Sequence, residues 1–135
     1  MRDPIPSSAE SPIRGLTRLV ESLKDSPVLS QPEIRHLLSD LNIETSDSDV
    51  QVFLQFDRQN YCRNFVLHTP TIQVLVLCWS PGQASKIHDH GKSDCGLRVL
   101  SGSATETIYQ GTLDECTPTE KTALEPGAIR VSPLQ

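Results

Sequence analysis

Apolar residues recur along the first part of this sequence at the spacing of a helix. Ser11-Pro12 sets a capping side chain before a proline suited to the first helical position, and Ile13, Leu16, Leu19, Val20 and Leu23 follow on one face. Ser30 and Glu33 have capping-box spacing, and Ile34, Leu37, Leu38 and Leu41 lay one apolar stripe along a second helix. A third, shorter helix is predicted from Ser46, with Asp49 completing its box and Val50, Phe53 and Leu54 as its apolar positions. Residues 1–10 contain Pro and Ser without any period and are expected to fray.

After Asp57 the period changes. Residues 61–67 and 72–79 alternate or run continuously apolar and read as strands, with Thr69-Pro70-Thr71 turning the chain between them. Pro81-Gly82 is a turn, residues 86–90 suit an extended backbone, and 97–100 form a strand closed by Ser101-Gly102 before another at 105–109. Pro126-Gly127 turns the chain again into a strand at 128–131. Helices first and antiparallel strands afterwards predict an α+β fold, in which a β-barrel or jelly roll carries small helices at one end.

A chain of 135 residues is one domain's worth. Its 12 Lys and Arg against 17 Asp and Glu give a net charge of −5, which argues against nucleic acid as a partner because a phosphate backbone would be repelled. No stretch approaches the roughly 20 apolar residues that span a bilayer, and the first residues lack the apolar run of a signal peptide. The sequence is therefore read as that of a soluble, cytoplasmic protein with no membrane partner. Cys62, Cys78, Cys95 and Cys116 form no Cys-x-x-Cys pair, so neither a zinc knuckle nor a redox dithiol is read from their spacing. Buried free thiols are the plain expectation for Cys62, Cys78 and Cys116.

The stretch that carries chemistry is Gly82-Gln83-Ala84-Ser85-Lys86-Ile87-His88-Asp89-His90, followed by Cys95 and Gly102. Residues two apart on a strand share a face, so His88 and His90 can offer both imidazoles to one metal while Asp89 faces away. The pair alone fixes no element, since imidazole suits iron, copper, nickel and zinc, and packing or surface histidines would give the same spacing. His36 and His68 have no partner at ligand spacing and are read as structural or surface residues.

The order of glycine, His-x-His, an acidic position and a later glycine is similar to the first motif of the cupins. The acidic position falls on Cys95, which resembles the cysteine dioxygenase branch in particular. Phe56-Asp57, Tyr61-Cys62-Arg63-Asn64, Leu77-Cys78-Trp79, Ile87-His88-Asp89-His90 and Ser93-Asp94-Cys95 look like that family's landmarks in the right order. The resemblance implies N-terminal helices (residues 1–58) packed on an antiparallel cupin jelly-roll barrel (from residue 59), in a single domain spanning 1–135. It also implies a non-haem Fe2+ cofactor held by His88 and His90, with L-cysteine and dioxygen as substrates, cysteine sulfinate as product, and a monomer when complete. Arg63 would grip the substrate carboxylate, Tyr61 would assist from the same strand face, and Cys95 would stand where other cupins carry a ligand glutamate.

In the family, Cys95's counterpart forms a thioether to a later tyrosine, and no tyrosine of this sequence matches it. The family pattern also expects a third histidine on a strand after Pro126-Gly127. None follows here, so the sequence is read as C-terminally truncated, with the barrel incomplete. Two imidazoles alone are expected to hold iron weakly, so the truncated form is expected to have impaired activity. For Arg63 taken by itself a surface ion pair is the ordinary alternative, for Tyr61 a core position, and Trp79 reads as a core aromatic beneath the site. Two other functions stay open: a dioxygenase for another small thiol acid such as 3-mercaptopropionate, and a non-catalytic cupin-like interaction module.

Overall fold

The computed structural model describes residues 12–25, 29–70, 72–86, 95–112 and 114–132. Ser11 lies outside them, and the first helix begins as a 3-10 turn, Arg14–Leu16, that runs into α1, Thr17–Asp25. The Arg14 backbone N–H donates to Asp49 Oδ2 at 2.8 Å, so an orphan donor of this helix start is satisfied from far along the chain. That corrects the role read for Asp49. The third helix, α3, is only Ser48–Gln51 with Asp47 at its N-cap and no side-chain cap bond. The capping box of Ser46 and Asp49 does not form, because the Glu44–Asp47 turn precedes the helix and closes on itself, Glu44 N–H donating to Asp47 Oδ2 at 2.9 Å.

The second helix, α2 (Gln31–Ser39), starts as its sequence dictates. Glu33 N–H donates to Ser30 Oγ at 3.3 Å and Ser30 N–H donates to Glu33 Oε1 at 3.1 Å. Hydrogen bonding from the Ser30 side chain, then from its backbone, holds the Glu33 carboxyl below its ordinary value of 4.5. A depressed folded pKa contributes stability that is present above the unfolded value and lost as pH falls through the folded one. Loss of the N-cap side chain in Ser30→Ala is expected to cost about 1 kcal/mol at pH 7. Urea unfolding at pH 7 and pH 3 should show the gap between wild type and variant narrowing at the lower pH.

Among the described residues six strands follow: β1 (Cys62–His68), β2 (Gln73–Cys78), β3 (Cys95–Arg98), β4 (Ala104–Gly111), β5 (Cys116–Leu124) and β6 (Ile129–Ser132). Among the described residues they pair antiparallel as three two-stranded sheets, β1–β2, β3–β6 and β4–β5, so the expected α+β class holds while no closed barrel is formed by them. Both Pro-Gly dipeptides make type II turns. Gln83 N–H reaches Ser80 O at 3.1 Å across Gly82 (φ 86°), and Ala128 N–H reaches Glu125 O at 2.9 Å across Gly127 (φ 91°), a left-handed backbone that glycine adopts without Cβ strain.

The chain divides into two units, Met1–Leu29 with Leu41–Ser85, and Ser30–Asp40 with Lys86–Gln135. The first is held by Ile13, Leu16, Val50, Phe53 and Val66, with Leu19, Leu41, Ile43, Leu54, Val74 and Val76 packed around them. Helical and strand residues thus share one core. Val66 is the extra residue of a bulge, since Phe65 pairs with Leu75 and Leu67 with Val74, and this turns the neighbours Val66 and Leu67 both out of solvent.

In the second unit the β4–β5 hairpin is nested inside the β3–β6 pair. Helix α2 lies against β3 and β6, and Gly96 explains how closely: a Cβ there would come within 2.5 Å of Ile34 Cγ2 and 2.9 Å of Leu38 Cδ1. Arg98, on the same face as Gly96, donates to Leu38 O at 3.0 Å and so satisfies a carbonyl at the C-terminal end of α2. Strand β5 was not anticipated from sequence. Its Thr117, Pro118, Thr119, Glu120 and Lys121 are all exposed and give no apolar alternation, and Pro118 falls beside a register shift. No helix among the described residues is long and apolar enough to cross a membrane.

Candidate functional site

Tyr61 and Arg63 come to one face of the β1–β2 hairpin. Alternation sends Cys62 and Asn64 to the opposite side, where Asn64 Nδ2 donates to Gln55 O at 3.2 Å and to Cys78 Sγ at 3.5 Å. The pairing Cys62↔Cys78 makes Tyr61 and Trp79 the next residues across from each other, and their rings stack with centroids 4.3 Å apart and 15° between planes. Arg63 pairs with Leu77, and its Cζ stands 5.7 Å from the centroid of the Phe65 ring.

This face is open. Trp79 is 40% exposed and Leu77 43%, which corrects the reading of Trp79 as a core aromatic: it covers Tyr61 from one side and meets solvent on the other. Among the described residues no carboxylate lies within ion-pairing distance of the Arg63 guanidinium. Tyr61 is half-buried, not a core residue, and its hydroxyl has no hydrogen-bond partner among the described residues. Among the described residues, a cation without a counter-ion and a phenol without a partner, beside a stacked aromatic pair, leave polar valences that an anionic ligand would complete.

The loop ends that position this face are tied together by side chains. Asp57 Oδ1 accepts from Gln59 N–H at 2.7 Å, an Asx turn that aims the chain into Tyr61. Gln83 accepts from Ser80 N–H at 2.8 Å and donates to Asp57 O at 2.7 Å, joining the turn after β2 to the loop before β1. Sequence reasoning gave Gln83 no role, because a polar residue after Pro-Gly looks like any turn position. Its signal is purely tertiary.

Cys95 opens β3 and pairs with Ser132. Since Gly96 and Arg98 face α2, Cys95 and Leu97 face away from it. Burial pushes the Cys95 thiol up, so it stays protonated at neutral pH and adds no negative charge. His88 and His90, the expected metal ligands, lie outside the described residues. Among the described residues no three His, Cys, Asp or Glu side chains gather at metal-binding distance. His36 is an exposed residue 3.6 Å from Asp40 Oδ2, and His68 is exposed and stacked on Phe65, so both are surface histidines as read.

Comparison with known proteins agrees with the landmarks. The family model for cysteine dioxygenase type I matches residues 1–125. Cysteine dioxygenase type 1 of Danio rerio is 31% identical over 98 residues, covering 72% of this chain and 48% of the relative. The Rattus norvegicus protein of the same name is 30% identical over 95 residues, 70% of this chain and 46% of the relative, and that of Bos taurus is 36% identical over 67 residues, 49% and 34%. The matches thus span about half or less of the length of these relatives.

Proposed function

The chain belongs to the cysteine dioxygenase type I family, and from that premise we propose that it serves to oxidise the thiol of L-cysteine to cysteine sulfinate with dioxygen at a non-haem ferrous iron. The observation that supports this reading most directly is the open hairpin face, where the Arg63 guanidinium has no counter-ion among the described residues and stands beside the stacked Tyr61 and Trp79. In this reading Arg63 donates two parallel hydrogen bonds to the substrate carboxylate. Tyr61, braced by Trp79, brings its hydroxyl to the same ligand.

His88 and His90 would supply two of the metal's ligands, neutral imidazoles that suit iron without selecting it and that alone would hold it weakly. When bound, the iron supplies the redox chemistry that activates dioxygen. Cys95, kept neutral by its burial, leaves an anionic thiolate substrate unrepelled where a carboxylate would oppose it. The architecture proposed to carry these residues is a cupin jelly roll, supported by the nesting of β4–β5 inside β3–β6.

Incubating the chain with ferrous iron, L-cysteine and air is expected to yield cysteine sulfinate, identified by mass, and His88→Ala is expected to yield none. Equal background from both would overturn the proposal. The same assay with 3-mercaptopropionate separates the substrates. Carboxylate capture by Arg63 does not involve the amine, so faster turnover of the amine-free acid would move the reading to a dioxygenase for another small thiol acid.

A further inference from the structure

On the side of the hairpin turned away from Tyr61 and Arg63, Cys62 and Cys78 are direct cross-strand partners. Directly opposed residues of an antiparallel pair have Cα atoms about 4.5–5.5 Å apart, inside the roughly 4.4–6.8 Å that a disulfide bridges. We propose that these two cysteines are a redox pair that closes to an intramolecular disulfide when a peroxide or a small disulfide oxidises it.

The two thiols are unequal in a way that suits such a reaction. Cys62 is half-buried and Cys78 is buried, so the first can meet an oxidant and the second is shielded from one. Cys78 is nevertheless furnished with polar partners: Asn64 Nδ2 donates to its sulfur at 3.5 Å, and its own thiol reaches Phe53 O at 3.6 Å. Burial pushes the Cys78 thiol up, hydrogen bonds from the Gln55 backbone and Asn64 pull it down, and the nearby Cys62 sulfur adds a smaller upward push. The reading of Cys62 and Cys78 as plain buried thiols rested on their separation in sequence, which a hairpin abolishes.

With hydrogen peroxide the chemistry balances in two steps. The Cys62 sulfur attacks a peroxide oxygen, an S–O bond forms as the O–O bond breaks, and water leaves with the thiol proton. The Cys78 sulfur then attacks the Cys62 sulfur, the S–S bond forms as the S–O bond breaks, and a second water leaves with the Cys78 proton. The thiols lose two electrons and the peroxide gains them. A small disulfide would take the same two electrons by exchange and leave as two thiols. Since Cys62 lies between Tyr61 and Arg63 in the chain, the bridge would fix the end of the hairpin that carries both.

The test uses the full chain, free of iron and with a chelator present, treated in its native state with equimolar hydrogen peroxide and then alkylated. Trypsin cleaves after Arg58, Arg63 and Lys86, which puts Cys62 and Cys78 on separate peptides, residues 59–63 and 64–86. The expected product is lighter by two hydrogens, joins those two peptides, keeps Cys95 and Cys116 alkylated, and reverts with dithiothreitol. Cys62→Ser, at a half-buried position, should fold and give none of it; Cys78→Ala serves as the second variant without a buried hydroxyl. Oxygen adducts on Cys62 without the bridge, a disulfide that involves Cys95 or Cys116, or a Cys62-linked dimer would each overturn the inference.

Discussion

On the proposed reading, exchanging Arg63 for alanine is expected to lower kcat/KM for cysteine by about 10²–10⁴-fold. The size follows from charge-assisted hydrogen bonds of about 1.5–3 kcal/mol each, two of which are lost from a bidentate pair, with tenfold for every 1.36 kcal/mol. The loss should fall on KM more than on kcat, because a carboxylate remote from the reacting sulfur is gripped equally in the ground and transition states. Arg63→Lys should recover only part, since an ammonium keeps the charge and not the planar fork. The fold should be indifferent to either change: Arg63 is exposed, and no carboxylate among the described residues depends on it. Steady-state kinetics together with a melting curve for each variant check this, and a large drop in Tm with unchanged KM would assign Arg63 a structural role instead.

The largest effect on stability is expected at Phe53. It is 5% exposed and joins Ile13, Leu16, Val50 and Val66 at the centre of the first unit's core. Truncation to alanine should cost about 3–5 kcal/mol in urea unfolding, from lost burial and an unfilled cavity. Against a total of about 5–15 kcal/mol for a small domain, that removes a large share of the margin. Phe56, only a few residues on, is 58% exposed, and Phe56→Ala should stay within about 0.5 kcal/mol. The contrast isolates packing from residue type.

These neighbours also show what could and could not be seen in the sequence. Helix α2 was legible to its first residue because a capping box is local chemistry, and the two Pro-Gly turns were legible because φ limits are local too. Phe53 was assigned to a third helix that in fact ends at Gln51, because periodicity marks which residues are buried more reliably than where a short helix stops. Asp49 was misread for the complementary reason: its partner, the Arg14 N–H, is brought to it only by the tertiary fold. Strand β5 exists through its pairing with β4, and nothing in its own polar run announces it.

The candidate site divides along the same line. The strand face shared by Tyr61 and Arg63 followed from alternation, whereas the Tyr61–Trp79 stack required the register of two strands, and the Gln83 bridge required two loops. Family membership rests on the match over residues 1–125, while metal binding by His88 and His90 stands as a proposal.

The nested order of the last four strands also sets a sequence of events as the chain folds. Strands β4 and β5 are joined by a short loop and can zip within about microseconds, whereas β3 and β6 are separated by the whole hairpin. Once the inner ribbon has formed, the two outer strands are already tethered close together, and the entropy of bringing their ends into register is largely spent. The mainly polar, solvent-facing hairpin would thus act as the kinetic template for the strand that carries Cys95, fixing how quickly that segment finds its partner.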